Sequence, residues 1–317
     1  MNKKLLGSTQ IVVSEMAFGT LVLSPLQANV SPKESQYLLE YAFEQGINFF
    51  DTAHLYQTYS FFTHIPSHIK NQMVISSKSY QPDYKGMMEE IEYGLKEINR
   101  DYFDIFMLHE QESIYTLKGH KGALEAIMDA KKQGKVRAIG ISTHSVELTK
   151  QLLLHPEFEV IHPIFNQVGH GLIHGTLEQQ IENIKNLYNA GVGLFVMKPL
   201  GGGRLYKDFY DSLSWIRDFP YKHAVAIGVK NKQELIVDIA IFEKTYSPEM
   251  AHDLHLEGKK LFYNRSLCCL CMQCTKACQF NALEYCAEED KIQIHYESCV
   301  TCGYCVAHCT SLALRIL

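Results

Sequence analysis

Eight cysteines near the end of the chain repeat one spacing twice: Cys268-x₂-Cys271-x₂-Cys274-x₃-Cys278 and Cys299-x₂-Cys302-x₂-Cys305-x₃-Cys309. Two tandem copies are hard to obtain by chance. Thiolates are soft ligands, and spacings this short let a loop wrap three of them around one iron–sulfur cubane. Paired C-x₂-C units also make tetrahedral zinc sites, though their usual grammar is separated pairs rather than a triple plus one. The spacing therefore predicts two [4Fe-4S] clusters. Only Cys268, not Cys269, preserves both spacings, so Cys269 and Cys286 are non-ligands. A second set lies far upstream. Asp51, Lys78 and His109 each end a short apolar run, and Tyr56 follows Asp51 by five residues. A carboxylate, a phenol, an ammonium and an imidazole in one place could exchange a proton with a substrate oxygen.

What must position these groups is a repeated strand and helix pattern. Candidate strands are Glu15 to Phe18, Asn48 to Phe50, Met73 to Ser76, Ile105 to Leu108, Ala138 to Ile141, Pro163 to Phe165, Leu194 to Met197 and Ala224 to Ile227. Helical patterns fill the intervals. Ser31-Pro32-Lys33-Glu34 supplies an N-cap serine, a proline at the first helical position and a glutamate at the third. The runs 84–99, 118–133, 176–190 and 232–244 continue the series. Eight such units in about 250 residues predict a (β/α)₈ TIM barrel, whose active site collects at the C-terminal strand ends. No G-x-G-x-x-G follows any strand, which argues against a doubly wound sheet.

All ten cysteines lie between Cys268 and Cys309. The expected division is a barrel over residues 1–258 and a small α+β iron–sulfur domain over 259–317. Cysteine clustering of this kind points to the cytoplasm. A net charge of -5 predicts no nucleic-acid footprint and no basic membrane patch. The longest apolar runs are strand-sized, too short to span a bilayer.

Asp51, Tyr56, Lys78 and His109 resemble, one for one, the catalytic aspartate, tyrosine, lysine and histidine of the aldo-keto reductases. These are (β/α)₈ enzymes that pass a hydride between nicotinamide and a carbonyl. Leu6-Gly7-Ser8-Thr9 through Phe18-Gly19-Thr20 is similar to the family's N-terminal hairpin, and the likeness runs to about residue 245. It implies a small carbonyl or alcohol substrate. Tyr56 exchanges the proton, Lys78 favours its ionised form, Asp51 is the lysine's counterion, and His109 donates to the substrate oxygen. The resemblance places NADP or NAD against Ser142, Thr143, Gln167, Met197, Lys198, Pro199, Leu200, Gly201, Gly202 and Lys230. Where many members hold the 2′-phosphate with a lysine and an arginine, Gly228 and Glu234 stand here, so the choice between NADP and NAD stays open. His54, Tyr59, Phe61, Phe62 and Tyr80 suggest a rim for a modest ring compound.

The cysteine repeat resembles bacterial two-cluster ferredoxins. That likeness implies one cluster on Cys268, Cys271, Cys274 and Cys309 and another on Cys299, Cys302, Cys305 and Cys278. A hydride carries two electrons and each cluster one, so a flavin is the natural splitter, although no motif announces a site for it. Three functions follow. One is a nicotinamide-dependent oxidoreductase that also exchanges electrons through the clusters with a redox protein partner. Another is a single-electron reductase fed by the clusters without nicotinamide. The third is a non-enzymatic redox-sensing or accessory subunit.

Overall fold

The apolar runs pair into a closed parallel barrel. The computed structural model describes residues 1–252, 254, 259–311 and 313–316. It opens with an antiparallel hairpin, β1 (Lys3–Leu5) and β2 (Val12–Ser14). Eight strands follow: β3 (Met16–Gly19), β4 (Phe49–Asp51), β5 (Val74–Ser79), β6 (Phe103–Leu108), β7 (Val136–Thr143), β8 (Val160–Pro163), β9 (Gly193–Met197) and β10 (Ala224–Gly228). They close in the order β10-β3-β4-β5-β6-β7-β8-β9. Strands covered on both faces read as continuous apolar runs, and β5 and β6 are buried at every position. Leu6, Ile11 and Val13 of the hairpin join Phe49, Ile105, Met107 and Phe195 inside the barrel. The hairpin closes the N-terminal end, where Ser8 N donates to Gly191 O at 2.9 Å, just ahead of β9.

Helices occupy the expected intervals at Pro32–Glu44, Tyr84–Ile98, Lys121–Lys132, Leu177–Asn189 and Lys232–Phe242. The Ser31 hydroxyl accepts from Glu34 N, so the capping signal acts as the sequence suggests. Two further helices, Val146–Gln151 and Phe209–Asp218, complete the ring. The sixth barrel strand lies at Val160–Pro163, about three residues before its expected place. Pro163 ends this strand rather than starting it, because it has no N–H to continue the ladder. Among the described residues no helix is long and apolar enough to cross a membrane.

The expected boundary at 258/259 falls beside residues 255–258, which lie outside the described residues. Beyond it, β11 (Leu261–Tyr263) pairs with β14 (Leu314–Ile316), and β12 (Leu283–Cys286) pairs with β13 (Lys291–Ile294). Single-turn helices stand at Gln273–Lys276 and Tyr304–Ala307. Leu261, Leu283, Ile292 and Leu314 pack with Cys274 and Cys305 in a small core. The expectation of a ferredoxin-like iron–sulfur domain is corrected here. Among the described residues no group of three or more His, Cys, Asp or Glu side chains could hold a metal ion. The barrel is the supported architecture.

This tail seats on the barrel mouth through close backbone contact. A Cβ on Gly202 would stand 2.0 Å from Val300 O, and Gly202 has φ +70. Thr301 Oγ1 donates to Gly202 O, and Gln27 Nε2 donates to Thr301 O at 3.4 Å. Replacing Gly202 with Ala therefore adds both a clash and a left-handed strain on the order of 1–3 kcal/mol. The expected outcome is faster amide exchange over residues 300–307 with barrel protection intact. Equal exchange in both proteins would contradict this seat.

Candidate active site

Three neighbouring strands and their loops bring the acid–base residues together. Asp51 ends β4, Lys78 lies near the end of β5, His109 follows β6, and Tyr56 sits on a short 3₁₀ turn, His54–Tyr56, after β4. Lys78 Nζ donates to both Asp51 oxygens, at 2.8 and 2.7 Å, and to Thr52 O at 2.9 Å. Ser76 Oγ donates to Asp51 Oδ1 at 2.7 Å. The ammonium stands 5.0 Å from the centre of the Tyr56 ring. Tyr56 and His109 meet edge to face, 5.7 Å apart. All four side chains are buried.

Burial decides their protonation. It lifts the Tyr56 phenol well above its ordinary value, and the Asp51 carboxylate lifts it further. Burial and the carboxylate together set the net direction, so Tyr56 stays protonated near neutral pH. Burial also draws the Lys78 ammonium down, against the opposing pull of Asp51. His109 is driven well below the usual imidazole range by burial, then by Lys78 and His144, so its ring is neutral near pH 7. Among the described residues its buried Nδ1 has no hydrogen-bond partner.

A second chain of polar groups flanks the first. Tyr80 OH donates to Glu110 Oε2, Glu110 Oε1 lies 2.6 Å from His144 Nδ1, and His144 Nε2 lies 3.0 Å from Lys198 Nζ. Burial alone would raise the Glu110 carboxyl, but His144, Lys198 and Tyr80 outweigh it and hold it low. Glu110 and Lys198 both have φ in the left-handed region, +48 and +58, backbone strain kept at this end of the barrel. Glu110 and His144 follow closely on the C-terminal ends of β6 and β7. His162 was missed altogether. It stacks on Phe195 at 3.9 Å, lies 3.8 Å from Asp51 Oδ2, and burial lowers it to about 3. Its only sequence signal was an imidazole next to the proline that ends β8.

A cavity of about 220 Å³ leads away from Asp51 and Tyr56. Met197, Lys198, Pro199, Leu200, Gly202 and Lys230 line it, as do Gly228 and Glu234. Gly201, Gly202 and Gly203 all take positive φ, so the loop turns its backbone tightly beside this space. Three expected cofactor contacts are engaged elsewhere. Ser142 Oγ accepts from Glu110 N at 2.7 Å, Thr143 Oγ1 accepts from Ser145 N at 2.9 Å, and Gln167 Nε2 donates to Ser212 Oγ at 2.9 Å. Glu234 accepts from Lys230 N at 2.8 Å and pairs with its ammonium at 3.7 Å. Of the expected rim, Tyr80 faces the mouth, whereas Tyr59, Phe61 and Phe62 pack into the core outside the barrel.

The expected cluster ligands, Cys268, Cys271, Cys274, Cys278, Cys299, Cys302, Cys305 and Cys309, are free thiols. They lie in two neighbourhoods. Cys274 is pushed up to about 11 by burial, with Cys309, Cys268 and Cys271 nearby; Cys305 is pushed up by burial, with Cys302, Cys278 and Cys299 nearby. Neither neighbourhood forms a group able to hold a metal ion among the described residues, which overturns the two [4Fe-4S] assignments. Sequence spacing fixed the loops but not the aim of the sulfurs. Cys268, Cys278 and Cys309 Sγ accept backbone N–H bonds from Leu270, Ala282 and Ala313, while Cys274 and Cys305 pack as small apolar groups. The expected electron relay and its flavin splitter rested on those clusters and lose their basis.

A profile of the Aldo/keto reductase family matches residues 15–224. "Probable aldo-keto reductase 1" of Glycine max is 27% identical over 220 residues, 62% of this chain and 59% of its own length. "Aldo-keto reductase YhdN" of Bacillus subtilis (strain 168) is 25% identical over 178 residues, 51% of this chain and 53% of its own. The chain thus spans little more than half the length of these relatives. Among solved structures, aldo-keto reductase AKR11C1 from Bacillus halodurans (holo form) superposes with TM-score 0.65 at 18% identity, covering 77% of this chain and 91% of that one.

Proposed function

Because the chain belongs to the aldo/keto reductase family, we propose that its barrel mouth reduces a small carbonyl compound with a nicotinamide coenzyme. The observation that carries this reading is the meeting of a neutral phenol, a neutral imidazole and a buried lysine–carboxylate pair at one end of the barrel. The cavity beside them fits a dinucleotide in chemistry. It offers an apolar wall at Met197 and Leu200, cations at Lys198 and Lys230, and close backbone at Gly202. When bound there, reduced nicotinamide supplies the hydride.

The side chains then manage the oxygen. Hydride addition moves the carbonyl electron pair onto oxygen, and the Tyr56 hydroxyl gives that oxygen its proton. His109, neutral, donates one hydrogen bond through Nε2 and so stabilises the developing charge. The Asp51–Lys78 pair holds an ammonium 5.0 Å from the centre of the Tyr56 ring, which favours the phenolate left behind. A phenol kept protonated at neutral pH suits reduction, and the reverse reaction, which needs phenolate, should rise with pH.

Fluorescence titration of the full chain with NADH and NADPH tests the coenzyme. Saturable binding of at least one, and its oxidation on adding a small aldehyde, are expected. Binding of neither would overturn the reading.

A further inference from the structure

The tail carries a ring into the place that the proposed reaction reserves for its substrate. Tyr304 begins the helix Tyr304–Ala307, 195 residues along the chain from His109. Only 7% exposed, it packs with Ala53, Tyr56, Leu21, Leu55 and Tyr80. Its ring stands nearly perpendicular to Tyr80, at 6.0 Å and 85°, and to His109, at 5.9 Å and 86°. The Tyr304 hydroxyl is 3.2 Å from His109 Nε2, and its side chain packs in one cluster with Tyr56.

A carbonyl oxygen that takes a proton from Tyr56 and a hydrogen bond from His109 must lie within reach of both atoms. The Tyr304 oxygen already stands within reach of His109 Nε2, on a side chain clustered with Tyr56. It is a hydroxyl oxygen carried by a planar ring, so it fills the oxygen position while its ring fills the space beside it. The seat that delivers it is built: the Gly202 and Val300 backbones touch, and a Cβ on Gly303 would meet Leu26 O at 3.0 Å.

Resting on the carbonyl-reductase reading, we infer that Tyr304 is a specificity-determining residue supplied by the tail: it holds the carbonyl-oxygen position, and a ring-bearing carbonyl compound takes its slot. The space it leaves is flanked by Tyr80, Leu21 and Leu55, a slot of aromatic shape and apolar lining. Acyclic carbonyl compounds fill that slot poorly and compete poorly with the phenol.

The full-length protein and its Tyr304→Phe and Tyr304→Ala variants are compared with benzaldehyde as substrate and benzoate as a non-reacting probe of the same oxygen site. Loss of the competing hydroxyl should lower the benzaldehyde KM about fivefold in Tyr304→Phe, the worth of about one net hydrogen bond. Loss of the ring should lower it about tenfold or more in Tyr304→Ala, with kcat changed less than about threefold. Benzoate affinity by calorimetry should rise in step. If no variant turns over but benzoate still binds more tightly without Tyr304, the reaction proposed above fails and the assignment of Tyr304 stands. Unchanged KM and benzoate affinity in both variants would overturn it. So would a kcat loss of about 100-fold at constant KM, because Tyr304 would then be donating the proton itself.

Discussion

Replacing Tyr56 with Phe lowers carbonyl turnover by about 100- to 10,000-fold, the usual worth of a positioned general acid. Coenzyme affinity stays within about twofold. The two effects separate because the hydroxyl alone is removed, while the ring keeps its edge contact with His109 and its place beside Ala53 and Tyr304. Single-turnover rates measured with bound coenzyme, before product release, read the chemical step directly. An unchanged rate would mean that the proton comes from elsewhere, and Tyr80 and Tyr304 are phenols packed in one cluster with Tyr56.

The second large effect concerns stability. Lys78→Met leaves Asp51 buried with its charge uncompensated, since the ammonium supplies two of its hydrogen bonds. Removing one partner of a buried pair costs about 3–5 kcal/mol. Denaturant unfolding of this variant should show that loss, and the rate of reduction should fall with it. The double change Asp51→Asn with Lys78→Met removes both charges, so much of the stability should return while turnover does not. Equal stability of Lys78→Met and the parent would show that the pair carries little net energy at this site.

The barrel was legible because its strands carry the signal of parallel sheet buried on both faces. Val74, Ile75, Phe106 and Leu108 needed no partner to be read as strand. Where the pattern was weaker, position slipped: Pro163-Ile164-Phe165 looked like strand, but the ladder starts at Val160 and ends at Pro163. The helix Val146–Gln151 is too short to show a period, although Ser145 caps it. The residue types of Asp51, Tyr56, Lys78 and His109 stood at strand ends, where sequence order alone predicts convergence.

Contacts between distant segments were not legible. Nothing local marks Tyr304 as a neighbour of His109, or Phe280 as lying over Lys198 and His144. The cysteine repeat misled for a related reason. It fixes which thiols can approach one another, but whether they converge depends on the β11–β14 and β12–β13 pairings and on the small core around Cys274 and Cys305. The charge state of Tyr56 also escaped the sequence, because Lys78 suggested a lowered phenol whereas burial and Asp51 raise it.

Transfer of label between coenzyme and substrate tests the proposed chemistry most directly. Reduced nicotinamide carrying deuterium at its reactive carbon is mixed with the full-length protein and benzaldehyde, and the alcohol is analysed by mass spectrometry. Direct hydride transfer at the mouth of this barrel places the deuterium on the carbinol carbon, and Tyr56→Phe slows its appearance. An alcohol formed without label, its new carbon-bound hydrogen drawn from water, would contradict it.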